Sequence, residues 1–278
     1  MVQKQDMFRD ILVHVDGGQA GRQRVQFAVR LAARMGARLS GLHVTPPVDV
    51  PPVYKPSRVA EVAAKISSEL AVDARAAATI FSEEATQRLP ETNWFEAEGD
   101  VAQCIRHKAR YVDIVILGQY EWQGSPERHP LPIAHSVVLR CGRPVLVVPA
   151  IVQSSALERT AIAWDGSREA VRAVHDALPL LRLSRSIQIV TMVHAPAESD
   201  EVDAMSLSDH LANHGIGTNV LQIRAVEEHA SLRKEVEQGH YDLLVMGAYS
   251  HPMWLEFIFG GATKSILLSS KIPVLVSH

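Results

Sequence analysis

The chain carries the same succession of segments twice, and this internal repeat limits the folds open to it more than any other feature. Residues 11–16 read ILVHVD and residues 161–165 read AIAWD, each an apolar strand candidate that ends in Asp and is followed by Gly17 or Gly166. A helical pattern follows in both places. Val25, Ala28, Val29, Ala32 and Met35 recur at helical spacing before Gly36, which is placed to end the helix. Ala170, Val171, Val174 and Leu178 do the same after Ser167, a candidate N-cap. Second strands are expected at 39–44 and 187–193. Further on, YVDIVILG (111–118) and YDLLVMG (241–247) echo each other from Tyr to Gly, and RPVLVV (143–148) and IPVLV (272–276) close the two copies. The Pro of each closing run stands at the strand start, where a missing N–H costs the ladder least.

Apolar strands alternating with amphipathic helices predict parallel sheets covered on both faces. The expected fold class is α/β: two tandem doubly wound domains, about 1–150 and 151–278, each with a mostly parallel five-stranded sheet. A length of 278 residues suits two ordinary domains. The boundary falls in AIVQSSAL (150–157). The first copy carries an insertion, TPPVDVPPVYKPS (45–57), whose prolines exclude regular structure; it is expected to run over the surface to a long helix reaching about Leu89.

Charge narrows the range of partners. Twenty-eight Lys and Arg stand against 31 acidic residues, a formal net charge of −3, which argues against a general nucleic-acid or membrane-surface binder. No apolar run approaches the length of a membrane span, and the N-terminal MVQKQDMFRD lacks an apolar signal region, so a cytoplasmic chain is expected. Its two cysteines, Cys104 and Cys141, are then read as reduced thiols.

The chemistry concentrates after YDLLVMG. Gly247 ends a strand at the sheet edge where open α/β sheets bind ligands. About a dozen residues later, Gly260, Gly261, Ala262 and Thr263 open an apolar helix containing Ile266 and Leu267. A glycine pair at a helix start lets backbone N–H groups approach a phosphate, and the helix dipole favours the negative charge. Thr263 adds a hydroxyl. Asp165 ends the first strand of the same copy, where its carboxylate is either a ligand to a ribose or an adenine amino group, or a cap for the helix beginning near Ser167.

These residues resemble the universal stress protein family, whose nucleotide motif runs Gly, two residues, Gly, nine residues, Gly, Ser or Thr, one residue, Ser or Thr. Gly247, Ser250, Gly260, Gly261 and Thr263 fall on its positions with the spacing kept. Ser250 replaces the second glycine and Gly261 replaces the first hydroxyl residue. The resemblance covers nearly the whole chain as a tandem pair and implies a Rossmann-like fold of the adenine nucleotide alpha hydrolase type. It also implies ATP or another adenine nucleotide as ligand, with Mg as an accompanying ion, and base and ribose contacts from Asp165, Val193 and Met246. Function would follow through regulation or contact with a protein partner. In this family two such domains pair through their closing strands, so an intramolecular pseudo-dimer is expected; a homodimer of the whole chain is left open. The alternatives are an adaptor with two vestigial pockets and a slow ATP hydrolase, the latter without an acid or base placed to activate water near Gly260.

The first copy departs from the motif. After Gly118 no glycine pair precedes the helix, Pro130 and Pro132 occupy its approach without N–H groups to donate, and Gly124 and Ser125 come too early. Its site reads as degenerate, the alternative being a remade pocket, with Asp16 kept as a cap. Among thirteen histidines, His210 and His214 stand four apart on an expected helix and could face one ligand, but no third ligand is adjacent in sequence, and a solvated helix face is the plain reading. His129 and His135 lack the pattern of a catalytic pair. The apolar loop 253–259 reads as packing, the alternatives being a lid over adenosine, an inter-domain contact or, if exposed, a partner surface.

Overall fold

The computed structural model describes residues 7–51, 53–119, 133–152, 157–193, 204–224, 228–248 and 262–278. The first half runs β1 (Asp10–His14), α1 (Gln19–Met35), β2 (Arg38–Thr45), α2 (Val59–Phe81), β3 (Thr92–Glu98), α3 (Val101–Ala109), β4 (Ile114–Gly118), α4 (Ile133–Val138) and β5 (Val145–Val148). The second half repeats it as β6 (Arg159–Trp164), α5 (Arg168–Leu181), β7 (Ser186–Val193), α6 (Ala204–Asn213), β8 (Asn219–Arg224), α7 (Glu228–Gln238), β9 (Leu243–Gly247), α8 (Ala262–Ser269) and β10 (Val274–Ser277). Within each half every strand pairing is parallel, and the spatial orders β3-β2-β1-β4-β5 and β8-β7-β6-β9-β10 match.

The two halves share one sheet. β10 pairs antiparallel with β5, setting Val274 opposite Val147, Leu275 opposite Leu146 and Val276 opposite Val145, so ten strands run without interruption. Leu146 and Leu275 have no exposed surface. Apart from the edge strands β3 and β8, the strands are largely buried on both faces, and alternate residues enter different cores. Ile11, Val13 and Leu275 pack with α1, α5 and the buried residues of α6, while Leu12, Val274 and Val276 pack with α3, α4 and α8. The period of two along each strand thus separates the layers.

Local chemistry sets the element ends. Gly36 closes α1 at φ 62°, in the left-handed region that favours glycine. Ser167 caps α5, its Oγ accepting from the Ala170 N–H at 3.2 Å, as its position predicted. Pro144 and Pro273 lie one residue before their strands, where their carbonyls accept from the Val115 and Leu244 N–H groups at 3.1 and 3.0 Å.

Three readings of the sequence need correction. The echo of 111–118 and 241–247 is not anchored on Tyr. Asp113 accepts from the N–H groups of Arg9 and Asp10 (2.6 and 3.0 Å), and Asp242 accepts from those of Glu158 and Arg159 (2.9 and 2.8 Å). The two aspartates are equivalent, each tying the start of a neighbouring strand. Tyr111 is exposed, whereas the Tyr241 hydroxyl donates to Glu235 at 3.0 Å. The long helix of the first half stops being α-helical at Phe81 and ends in a π turn over Ser82–Thr86, short of Leu89. Asp16 does not cap α1; its main partner is an arginine described below. Cys104 and Cys141 are both free, and burial pushes the Cys141 thiol up. Among the described residues, no helix is long and apolar enough to cross a membrane.

Candidate functional site

The carboxyl edge of each half-sheet has a point where the chain order reverses, between β1 and β4 in the first half and between β6 and β9 in the second. Loops on either side of such a point lead away in opposite directions and leave a crevice. In the second half, Asp165 follows β6 directly, Val193 ends β7, and Met246 and Gly247 end β9. The register places Ala163 beside Met246 and Ser277 beside Gly247, so these strand ends lie along one edge. The β9–α8–β10 connection joins parallel strands, which sets the start of α8 at that same edge. Ala262 opens α8, and Thr263 follows in its first turn. Ser250, Gly260 and Gly261, like the apolar loop 253–259, lie outside the described residues.

Asp165 is exposed and bound to the α5 cap. Its Oδ1 accepts from the Ser167 N–H at 3.0 Å and the Ser167 hydroxyl at 2.6 Å. Asp165 therefore orients the capping residue rather than capping the helix itself. Gly247 has a packing role of its own. A Cβ there would stand 2.5 Å from the Ala170 nitrogen and 2.7 Å from the Glu169 carbonyl carbon, so the bare glycine lets the first turn of α5 seat against the end of β9. Met246 points into the opposite core at 6% exposure.

Two polar groups at this edge were not singled out from the sequence. The Trp164 indole N–H and the Ser277 hydroxyl are buried without a hydrogen-bond partner among the described residues. Each ends its strand, β6 or β10, and buried polar groups of this kind need a partner. A tryptophan or serine at a strand end, where the aligned positions of the first half are Val15 and Val148, was the signal available.

The first half fills the same place with its own side chains. Arg24, the sixth residue of α1, is 5% exposed; its Nε–H donates to the His14 carbonyl at 2.7 Å, and its guanidinium pairs with Asp16. It also lies against Gly118, the counterpart of Gly247, where any Cβ would collide with it. Burial works against ionisation of Asp16, but the charge and hydrogen bond of Arg24 outweigh it and hold the carboxyl below its ordinary range. Burial, then the Arg24 charge, pushes His14 down to about 3. From the other side, α2 brings Asp73, whose Oδ1 accepts from the Gly17 N–H at 2.9 Å, and His43 donates from Nδ1 to the Val15 carbonyl at 3.0 Å. The sixth residue of α5, at the aligned position, is Ala173.

Comparison with known proteins gives a consistent picture. The model of the universal stress protein family matches residues 7–149 and again 157–278. Universal stress protein Slr1230 of Synechocystis sp. is 22% identical over 286 residues, covering 96% of this chain and 99% of that one. The crystal structure of a universal stress protein from Archaeoglobus fulgidus superimposes with a TM-score of 0.72 at 15% identity, over 96% of this chain and 97% of that one. A functionally unknown protein of Pseudomonas aeruginosa gives a TM-score of 0.57 at 13% identity, over 97% and 92%. At these identities the structural likeness establishes the shared fold.

Proposed function

The chain belongs to the universal stress protein family as a tandem pair, and from that premise we propose that its second half, 151–278, binds an adenine nucleotide while its first half, 1–150, is a degenerate copy. The observation that carries this reading is the contrast at aligned positions of the two switch points. Arg24 packs against Gly118 and pairs with Asp16 in the first crevice, whereas the aligned residue of α5 is the small, uncharged Ala173. The base and ribose are assigned to Asp165, Val193 and Met246. The phosphates, with Mg accompanying them, are assigned to the loop through Ser250, Gly260, Gly261, Ala262 and Thr263. Backbone N–H groups at a helix start stabilise phosphate charge there. Ser250 and Gly261 weaken the hold on a terminal phosphate, which favours ADP or AMP relative to a site with the full motif. The ligand state would be passed on through contact with a protein partner in the cytoplasm.

Calorimetric titration of the full chain with ATP, ADP and AMP, with and without Mg, tests the assignment. One nucleotide per chain is expected, with at least tenfold weaker binding in Gly260→Val at an unchanged melting temperature. Equal affinity in that variant would contradict the site.

A second reading has its own support. Gly247 is accounted for by its contact with α5, and Asp165 by its bonds to Ser167, without any ligand. An adaptor with two vestigial pockets would show no heat of binding and no thermal shift with any of the three nucleotides.

A further inference from the structure

The geometry points to a surface site for a late divalent transition metal, of the Zn(II) class, formed by His175, His210 and His214. His210 lies in the last turn of α6, and His214 in the turn that follows; their ring centroids are 4.9 Å apart with planes at 68°. His175, on α5, completes the set from a segment distant in sequence, its centroid 6.0 Å from that of His210 and 6.4 Å from that of His214. A metal bound at about 2.1 Å from imidazole nitrogen lies roughly 3.2 Å from the ring centre, so two rings on a tetrahedral ion sit about 5 Å apart. The His210–His214 pair already has that separation. His175 is about 1 Å too far, which agrees with the absence of any preassembled metal-holding group among the described residues.

The missing ångström is a matter of rotamers. His175 and His210 are exposed and His214 is half-buried, so small torsional changes in solvent bring the third nitrogen in without moving a helix. The rings meet at 42°, 68° and 78° rather than stacked, an arrangement from which nitrogens can converge. Three imidazoles with an open fourth position suit Zn(II), and also Cu(II) or Ni(II), rather than the oxygen-seeking Mg(II) that accompanies a nucleotide. His175 is eight residues along α5 from Ser167, about 12 Å at the helical rise, so this site is distinct from the crevice at the carboxyl edge. It stands independently of the nucleotide reading. A bound ion would tie α6 to α5 across the surface of the core that both helices cover.

The test is Zn(II) titration of the untagged full chain, followed by competition with a chromophoric chelator and by thermal melting, at a pH where imidazoles are neutral. One ion per chain is expected, with a rise in melting temperature. His175→Ala should weaken binding at least tenfold, the His210→Ala/His214→Ala double variant should abolish it, and His107→Ala should leave it unchanged. With Cu(II) in place of zinc, the electron paramagnetic resonance spectrum should lose one coordinating nitrogen in His175→Ala. Zinc affinity unchanged in the double variant, or no binding above that of the double variant in the wild type, would overturn the site and leave the three rings as a surface aromatic cluster. Binding lost in the double variant but unaffected by His175→Ala would overturn the three-histidine site in favour of a two-histidine chelate.

Discussion

Single residues distinguish the crevices of the two halves, and their energetics can be separated. Arg24→Ala removes a buried cation from Asp16, whose side chain is 40% exposed; solvent screening of that carboxylate keeps the expected loss to about 1–2 kcal/mol. The two counterpart glycines should respond differently. In Gly247→Ala the new Cβ meets the backbone of Ala170 and Glu169, and the cost expected from urea unfolding is about 2–3 kcal/mol. In Gly118→Ala the obstacle is the Arg24 side chain, so the alanine should cost much less in an Arg24→Ala background than alone. Additive effects would show that Arg24 does not fill the crevice. Acid should expose the same cluster. The His14 imidazole is pushed from 6.5 to about 3 in the folded chain, so the unfolded chain binds the extra proton between those values. The stability associated with neutral His14 is therefore complete above 6.5 and declines as pH falls toward 3. Its slope cannot exceed about 1.4 kcal/mol per pH unit. His14→Gln should lose less stability than wild type between neutral pH and pH 4, and an identical loss would contradict the assignment. None of this was legible beforehand, because Arg24 sits beside the apolar stripe of α1 and reads as a solvated charge. Setting the copies side by side, Arg24 against Ala173, would have raised it.

Elements were more legible than their contacts. Repeated apolar runs closed by Asp or Gly gave the strands, because residues buried on both faces leave little room for polar interruptions. Ser167 was legible as a cap because its reach to the backbone N–H of Ala170 is local. Ser167→Ala should cost about 1 kcal/mol in urea melts, and no loss would show that Asp165 takes over the cap. The long α2 was foreseen, but not its contribution of Asp73 to the Gly17 N–H, 56 residues away. Nor was the meeting of His175 with His210 and His214, since sequence spacing conveys proximity only within an element. Of the candidate site, Asp165 and Gly247 were read from pattern, whereas Val193 and Met246 came only from the family resemblance. The competing packing roles of Gly247 and Asp165 rest on contacts with α5 that the sequence does not display.

At the scale of the whole molecule, the tandem repeat makes internally the contact that two separate copies would otherwise make between chains. β5 and β10 would each be an unpaired sheet edge alone, and joining them removes both edges. Leu146 and Leu275 face each other across this seam without exposed surface. Truncating either to Ala should cost about 2–4 kcal/mol and lower the melting of both halves together; a variant that melts only one half would show that the seam does not couple them. Within that frame the proposal is that the second crevice takes a ligand, while Arg24 pairs with Asp16 in the first. The most direct measurement is mass spectrometry of the small molecules released when freshly purified full-length protein is denatured, with Gly260→Val alongside. The expected result is an adenine nucleotide at up to one per chain in wild type and none in the variant. The same nucleotide in equal amount from both proteins, or none from wild type followed by a blank titration, would contradict nucleotide binding by the second half.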